Sequence, residues 1–322
     1  MPMEYRAPLW LPGGHAQTVW AARLARCVDG QPIEFRREQW TTPDDDFVDL
    51  DWLDAPQGRP LLVLFHGLEG SSHSPYARAF ASIARSRGWA YVVPHFRGCS
   101  GPINRAPRAY HSGDHEEIDW ILQRLAARRG GAVLAVGISL GGNALMRWAG
   151  LAGSLAAQRV RALASVCAPL DLMASGTAIG RGLNRYLYTP MFLKTMVPKA
   201  LAKLEQYPGL FDRERLLHAR DLYDFDDVFT APLHGFKDAD DYWRRASALP
   251  VLADVAVPAL ALNARNDPFI PARSLPTANA VSPSVILWQP EQGGHVGFPV
   301  AAPSRTHVLA IPAAVVDFLA QA

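Results

Sequence analysis

Short apolar runs alternate with segments of helical periodicity along much of this sequence. The apolar runs are LLVLF (61–65), AYVVPHF (90–96), AVLAVGI (132–138) and VRALASVCAP (160–169). Amphipathic stretches at 74–88, 115–131 and 143–153 separate them. A buried strand, a helix and a further buried strand form a right-handed crossover, which makes neighbouring strands parallel. The sequence therefore predicts an α/β fold with a mostly parallel central sheet flanked by helices.

The regions outside this alternation differ in pattern. Residues 1–35 are expected to form an irregular start in which Trp10, Leu11 and Trp20 pack onto the main body, and 34–53 is expected to form a hairpin. The alternation of strands and helices is interrupted between about 171 and 249, where aromatic residues are frequent and the pattern is helical. Strands resume at 257–264 and 284–290, before a final helix at 311–322. We predict one α/β domain over 1–322, with core 1–170 and 250–322 and a helical cap insertion at about 171–249.

Composition excludes several classes of protein. A hydrophobic fraction of 49% excludes a disordered chain, and a net charge of +2 argues against nucleic-acid binding. No apolar run reaches ~18 residues, so we expect no stable membrane insertion, and the first residues do not resemble a signal peptide. Three scattered cysteines, Cys27, Cys99 and Cys167, favour the cytoplasm over a disulfide framework. No phosphate-binding glycine motif is present, so no nucleotide cofactor is expected.

Ser139 lies in the most informative local motif. Gly137, Ile138, Ser139, Leu140 and Gly141 join a predicted strand to a predicted helix. A serine on such a turn has strained backbone angles, and the glycines let neighbouring chain approach closely. Its hydroxyl is then exposed at the C-terminal edge of the sheet, at a helix N-terminus that favours developing negative charge. The pattern predicts a nucleophile.

A serine nucleophile needs a base that is oriented by an acid. His295 lies between glycines in a loop after the last predicted strand, which suits a base better than a position inside an element. Asp267 directly follows the strand at 257–264 and is the expected acid. The alternative is Asp171, one strand earlier. The order Ser139, Asp267, His295 is the order of α/β-hydrolases.

Two backbone amides are expected to form an oxyanion hole. One belongs to Leu140, which follows the nucleophile, and the other to Leu68, in the loop after the first core strand. We expect His66 in that loop to be a structural histidine, bonded to the backbone, rather than a second base. The loop at 96–101 follows the next strand and is expected to shape or support the pocket.

A second cluster, at 111–117, contains His111 and His115 beside three acids. It could suggest a metal, but the glycine and the acids favour a capped helix N-terminus. We expect no metal. Cys99 has no adjacent histidine–acid pattern that would make it a nucleophile.

Seven segments together resemble the YheT-like branch of the α/β-hydrolases. They are GHAQT (14–18), HGLEGS (66–71), HFRGCSG (95–101), YHSG (110–113), GISLGGN (137–143), NDP (266–268) and GGHVGF (293–298). The likeness is collinear over nearly the whole chain, and it departs at His95, where the family often has asparagine. It implies an esterase-type hydrolase whose triad is Ser139, Asp267 and His295. Animal relatives are membrane-linked lipid hydrolases with an N-terminal anchor, so a lipid substrate is not directly implied.

These observations predict a serine carboxylic-ester hydrolase without a cofactor. The expected substrate is a small ester with an apolar acyl group, held beneath the aromatic-rich insertion. A lipase or phospholipase acting on membrane lipids is the first alternative, and a hydrolase scaffold that only binds is the second.

Overall fold

One eight-stranded sheet forms the centre of the computed structural model, which describes residues 4–25, 32–128, 131–301 and 306–322. The strands run in the order β1-β2-β4-β3-β5-β6-β7-β8. Their bounds are β1 Arg36–Thr41, β2 Phe47–Leu53, β3 Leu61–Phe65, β4 Ala90–Pro94, β5 Val133–Ile138, β6 Ala162–Val166, β7 Ala259–Leu262 and β8 Val285–Trp288. β1, β2 and β4 pair antiparallel, and β4, β3, β5, β6, β7 and β8 pair parallel. The predicted hairpin and mostly parallel sheet are confirmed.

The apolar runs form central strands because both of their faces are covered. In β3, Leu61, Val63 and Phe65 pack with helices α3 (His115–Arg128) and α4 (Leu140–Ala152). Leu62 and Leu64 pack on the opposite face with α2 (Pro75–Ser86) and α12 (Ala310–Gln321). A strand buried on both sides reads as a continuous apolar run rather than an alternating one. All five residues of β3 are buried.

Seven α-helices lie between β6 and β7, in the segment predicted to be a helical insertion. They are α5 Leu172–Ile179, α6 Gly182–Leu187, α7 Thr189–Gln206, α8 Arg213–Leu217, α9 Leu222–Phe225, α10 Ala231–Leu233 and α11 Ala239–Ala246, with a π-helical turn at Asp226–Thr230. We call this segment the cap. Four of its helices begin after an aspartate whose side chain accepts a backbone N–H: Asp171, Asp212, Asp221 and Asp238. Such caps let short helices begin at fixed residues.

Helix α1 (Gly13–Arg23) corrects the expectation of an irregular N-terminal segment. Its buried face carries Gln17 and Thr18 instead of a row of apolar side chains, so the sequence lacks the usual amphipathic signal. Leu11 is buried as expected, but Trp10 is 57% exposed and contacts Trp20 edge to face. No helix in the described ranges is both long and apolar enough to cross a membrane.

Candidate active site

Ser139 is the single residue between β5 and α4, and its backbone angles are φ 52° and ψ −117°. A non-glycine residue in this region is strained, and neighbouring glycines provide the room for it. A Cβ on Gly141 would lie 2.4 Å from the carbonyl oxygen of Phe65, and one on Gly137 would lie 2.4 Å from that of Gly141. The glycines are therefore required because two turns of chain approach each other here.

His295 contacts both Ser139 and Asp267. Its Nε2 lies 2.9 Å from the Ser139 hydroxyl oxygen, and its Nδ1 lies 2.8 Å from Asp267 Oδ2. The other oxygen of Asp267 accepts the backbone N–H of Phe269 at 2.8 Å. The carboxylate is buried, whereas the imidazole is 11% exposed. The structure thus brings together the three side chains that the motifs singled out, in the geometry of a hydroxyl, a base and an orienting acid.

Asp171, the alternative acid, has a different role in the structure. Its side chain accepts the backbone N–H of Ala174 and begins α5. It therefore serves as a helix cap, and the contact with His295 belongs to Asp267.

Helix α1 is hydrogen-bonded to the backbone of the His295 loop, a contact that the sequence did not reveal. The Thr18 hydroxyl accepts the backbone N–H of His295 at 2.8 Å and donates to the Gly14 carbonyl at 2.7 Å. Gln17 Oε1 accepts from the Gly293 amide and from the Asn266 side chain. A Cβ on Gly294 would lie 2.7 Å from the Gly14 oxygen. Two loops and one helix are thereby fixed to each other.

Within the described part of the chain, the loop after β3 leaves the Leu68 amide without an acceptor, between two amides that have one. The Gly67 N–H donates to the Tyr76 hydroxyl at 3.0 Å, and the Glu69 N–H donates to the Tyr110 hydroxyl at 2.9 Å. Among the described residues, the intervening Leu68 amide and the Leu140 amide have no acceptor within the protein. Both residues line the cavity beside Ser139. These are the two amides that the sequence predicted for an oxyanion hole.

His66 supports this loop through the backbone. Its Nε2 accepts the Phe96 N–H at 3.0 Å, so its Nδ1 carries the proton and donates to the Gly67 carbonyl at 2.8 Å. Burial, and secondarily His95, lowers the pKa of His66 to about 3, so it stays neutral. His66 is the structural histidine that was expected. His95, the position that departs from the family pattern, is buried against Asp51 at 2.9 Å.

The described residues contain one group of three possible metal ligands, Cys167, Asp267 and His295. Burial, together with Asp267, raises the pKa of the Cys167 thiol well above its ordinary value. The sulfur therefore stays protonated, and it accepts the Val296 N–H at 3.2 Å. Metals bind the thiolate form, so this group fits a packed thiol better than a ligand. His111 and His115 do not belong to such a group.

Two cavities meet at Ser139. The cap-side cavity, about 140 Å³, is enclosed mainly by apolar side chains of the cap, among them Leu172, Ile179, Met196, Phe229 and Trp243. The α1-side cavity, about 670 Å³, is lined by Val19 and Arg23 of α1, by Leu187 and Met191 of the cap, and by His295 and Ile311. Leu68, Phe192 and Phe269 border both.

The cap-side cavity also contains charged groups. Lys199 of α7 pairs with Glu69 at 2.8 Å, and the Tyr110 hydroxyl donates to the same carboxylate. Asp226 accepts hydrogen bonds from the Thr230 hydroxyl and the Trp243 indole. Burial raises the pKa of Asp226 to about 6. The cap thus touches the loop of Leu68 through an ion pair.

The sheet is mostly parallel, a strained serine follows β5, and an aspartate and a histidine lie in loops after later strands. This is the architecture of an α/β-hydrolase. The chain belongs to the alpha/beta hydrolase fold family, whose model matches residues 60–302.

More particular relatives support the resemblance noted from the motifs. The chain is 41% identical over 290 residues to YheT of Escherichia coli (strain K12), whose name assigns it provisionally to the esterases; the match covers 88% of this chain and 84% of YheT. It is 30% identical over 278 residues to phospholipase ABHD3 of Mus musculus, covering 83% and 67% of the two chains. The YheT-like relationship is confirmed.

Solved structures share the fold at low sequence identity. The Pyrococcus furiosus esterase Pf2001 superposes with a TM-score of 0.56 at 15% identity, covering 92% of this chain and 98% of that one. Mouse alpha/beta hydrolase domain-containing protein 10 gives 0.55 at 16% identity, covering 89% and 98%.

Proposed function

We propose that this protein is a serine hydrolase that cleaves carboxylic esters through an acyl-enzyme on Ser139. The observation that carries the proposal is the continuous contact from the Ser139 hydroxyl through His295 to Asp267, with separations of 2.9 and 2.8 Å. The relationship to YheT, whose name points to esterases, supports the same class of reaction.

Acylation begins when Ser139 Oγ attacks the ester carbonyl carbon and its proton passes to His295 Nε2. Asp267 accepts a hydrogen bond from the Nδ1–H of His295, fixes the tautomer and stabilises the imidazolium. The carbonyl oxygen becomes an oxyanion that the Leu68 and Leu140 amides hold, each donor contributing roughly 3–4 kcal/mol to the barrier reduction. The intermediate collapses as the C–O bond breaks, and the alcohol leaves with the proton from Nε2.

Deacylation repeats these steps with water. His295 removes a proton from the water as it attacks the acyl carbon, and the second oxyanion lies against the same amides. Collapse returns the proton to Ser139 and releases a carboxylic acid. No metal or cofactor takes part in this mechanism.

The two cavities suggest which part of the ester lies on which side. The leaving alcohol must reach His295 Nε2, and His295 lines the α1-side cavity. The acyl group then occupies the cap-side cavity, whose apolar walls favour an apolar chain. Within this division, 1–170 and 250–322 serve as the core and about 171–249 as the cap that forms the acyl site.

Replacement of single residues tests the mechanism. Ser139→Ala is expected to abolish hydrolysis of p-nitrophenyl esters. Asp267→Asn is expected to lower kcat by about 10⁴, the order seen when a triad acid loses its charge. Asp171→Asn is the matched control, because asparagine caps a helix as well as aspartate does. Unchanged turnover in Ser139→Ala would remove this serine from the chemistry.

Hydrolysis of lipid esters is a second candidate, favoured by the apolar lining of both cavities and by the phospholipase relative. A strong preference for phospholipid over soluble esters would support it. A binding scaffold without activity is distinguished by a fluorophosphonate probe, which should label Ser139 in the active enzyme and leave an inert scaffold unmodified.

A further inference from the structure

Helix α6 of the cap leaves its large apolar side chains exposed. No residue of α6 is buried, and three of its six residues have large apolar side chains. Leu183 is 56% exposed, Tyr186 78% and Leu187 47%. Isolated exposed apolar residues are ordinary, but a group on one helix marks an interaction surface.

The exposed apolar group continues around the mouth of the α1-side cavity. Met191 of α7 is 41% exposed and Val19 of α1 is 43% exposed, and both line that cavity with Leu187. The two elements adjoin, because His15 of α1 stacks on Tyr188 and its Nδ1 lies 3.1 Å from the Tyr188 hydroxyl. The apolar surface therefore borders the entrance that leads to His295. We call it the rim, and define it as Val19, Leu183, Tyr186, Leu187 and Met191.

The two chain segments that carry the rim contain charge of one sign. Residues 13–25 and 172–204 contain no aspartate or glutamate. Arg23, Arg181, Arg185 and Lys194 are exposed in these segments. The whole chain has a net charge of only +2, so this excess of positive charge is local. Basic side chains beside exposed apolar ones are the combination that binds an anionic lipid surface.

We propose that the rim docks the protein peripherally on an anionic lipid surface and that the ester enters the α1-side cavity directly from that surface. The occupant is a lipid–water interface because apolar contact and positive charge occur together at an open entrance. This proposal rests on the proposed function for the identity of the substrate, but the docking itself does not require catalysis. The acyl chain passes Ser139 into the cap-side cavity, while the bulkier alcohol stays near the interface.

Vesicle co-sedimentation of the full chain tests the docking. The probes are vesicles of phosphatidylcholine alone and vesicles that also contain phosphatidylglycerol. We expect binding to the anionic vesicles, weakened by salt, and little binding to the neutral ones. Absence of binding to either composition would overturn the proposal.

The decisive variant is Leu183→Ser/Tyr186→Ser, which changes exposed rim residues that line neither cavity. Its matched control is Leu151→Ser/Leu155→Ser, which changes residues 48% and 61% exposed at the end of α4 and just beyond it. We expect vesicle partitioning to fall about tenfold or more in the rim variant and to stay unchanged in the control. Equal partitioning of the two variants would contradict the proposal.

Activity measurements separate this proposal from the proposed function. Hydrolysis of p-nitrophenyl acetate in solution should be equal in wild type, rim variant and control, while hydrolysis of a long-chain ester presented in anionic vesicles should fall only in the rim variant. Ser139→Ala should bind vesicles like wild type without hydrolysing the ester. A wild type that binds vesicles but hydrolyses no ester would leave the docking intact and refute the proposed function. A concentration-dependent dimer that the rim variant abolishes would instead show that a second copy covers the rim.

Discussion

Backbone strain in this molecule concentrates at the candidate site. Of the six described non-glycine residues with positive φ, five lie in loops that follow β3, β5, β6 and β8: Glu69, Ser139, Cys167, Val296 and Phe298. Each such residue costs about 1–3 kcal/mol and persists only where surrounding contacts impose it. The strain at Ser139 is imposed by close approach of the chain at Gly137 and Gly141. We infer that the positions of reacting groups here depend on the contacts that hold these loops.

Thr18 provides one of those contacts, and its replacement should lower catalytic activity as well as stability. Thr18→Val leaves the backbone N–H of His295 without its acceptor, which costs about 1–3 kcal/mol and allows the imidazole to shift. We expect kcat on p-nitrophenyl acetate to fall roughly 10- to 100-fold with KM nearly unchanged.

Thr18→Ser keeps the hydroxyl and should restore kcat. A variant with normal kcat but a lower melting temperature would show that Thr18 acts only on stability.

The sequence could indicate Ser139, Asp267 and His295 because each lies in a glycine- or proline-marked loop directly after a predicted strand. Thr18 gave no such signal. Its bond to His295 joins residues 277 positions apart, and a threonine on a short helix has many ordinary explanations. Side chains that position a reacting group through the backbone follow from packing, which a local pattern does not encode.

At the scale of elements, α7 connects the cap to the loop of Leu68. Lys199 binds the Glu69 carboxylate, and Glu69 follows Leu68 with φ 55°. The Lys199 side chain is 34% exposed, so its contribution to stability is modest. Because Lys199 contacts the residue that follows Leu68, we infer that it influences the direction of the Leu68 amide.

We therefore expect Lys199→Met to lower kcat on a short soluble ester about tenfold, because a misdirected oxyanion donor loses part of its effect. Lys199→Arg preserves the charge and should recover most of the activity. Lys194→Met, an exposed lysine on the same helix, is the control. Steady-state kinetics and melting temperatures are measured together, and a loss of kcat equal in Lys194→Met would contradict a role for the Glu69 pair.

The π-helical turn of the cap contains a carboxyl group whose pKa is raised by burial. Asp226 titrates at about 6 in the folded protein and near 3.8 in an unfolded chain. The folded state therefore holds an extra proton between these values, and the free energy of unfolding falls as pH rises from about 4 to about 6. Above pH 6 the destabilisation is complete, and it amounts to about 3 kcal/mol for a shift of about two pH units.

Asp226→Asn should remove this pH dependence. We expect the variant to match wild type near pH 4 and to be more stable by up to about 3 kcal/mol above pH 6. Denaturant unfolding across this range measures the difference. Asp254→Asn, at an exposed position, should follow the wild-type curve. Parallel curves for wild type and Asp226→Asn would show that the Asp226 carboxyl is not titrating in this range.

The type of an element was predictable where its buried side chains are apolar, and less predictable where they are polar. The runs that form β3, β4, β5 and β6 are apolar on both faces, so their length and the flanking glycines were enough to identify them as strands. Helix α1 was missed because its buried side chains, Gln17 and Thr18, are polar and serve hydrogen bonds. Within the cap, the helical character was evident, but the aspartates that begin its short helices could not be distinguished from turn residues without the structure.

For the whole molecule, the main consequence of the fold is that core and cap together enclose two cavities that share Ser139. The parallel strands bring the loops of Ser139 and His295 to one edge, and α7 crosses that edge with Phe192 bordering both cavities. One helix of the cap thus contributes walls to the cap-side cavity and to the α1-side cavity. The sequence predicted a cap with apolar walls, but not that it divides the site, because that depends on where α7 lies over the sheet.

Two methionines of α7 allow this division to be tested with matched changes. Met196 lines the cap-side cavity and Met191 lines the α1-side cavity. Met196→Trp fills part of the proposed acyl side, so we expect kcat/KM to shift toward acetate and butyrate and away from octanoate and laurate among p-nitrophenyl esters. Met191→Trp narrows the alcohol side, so the order of acyl preference should stay as in wild type while esters of bulky alcohols become poorer substrates. Chain-length profiles for a small and a bulky alcohol, measured for both variants, separate the two effects. A change in acyl preference caused by Met191→Trp but not by Met196→Trp would reverse the assignment of the cavities, and with it the direction in which the ester lies across Ser139.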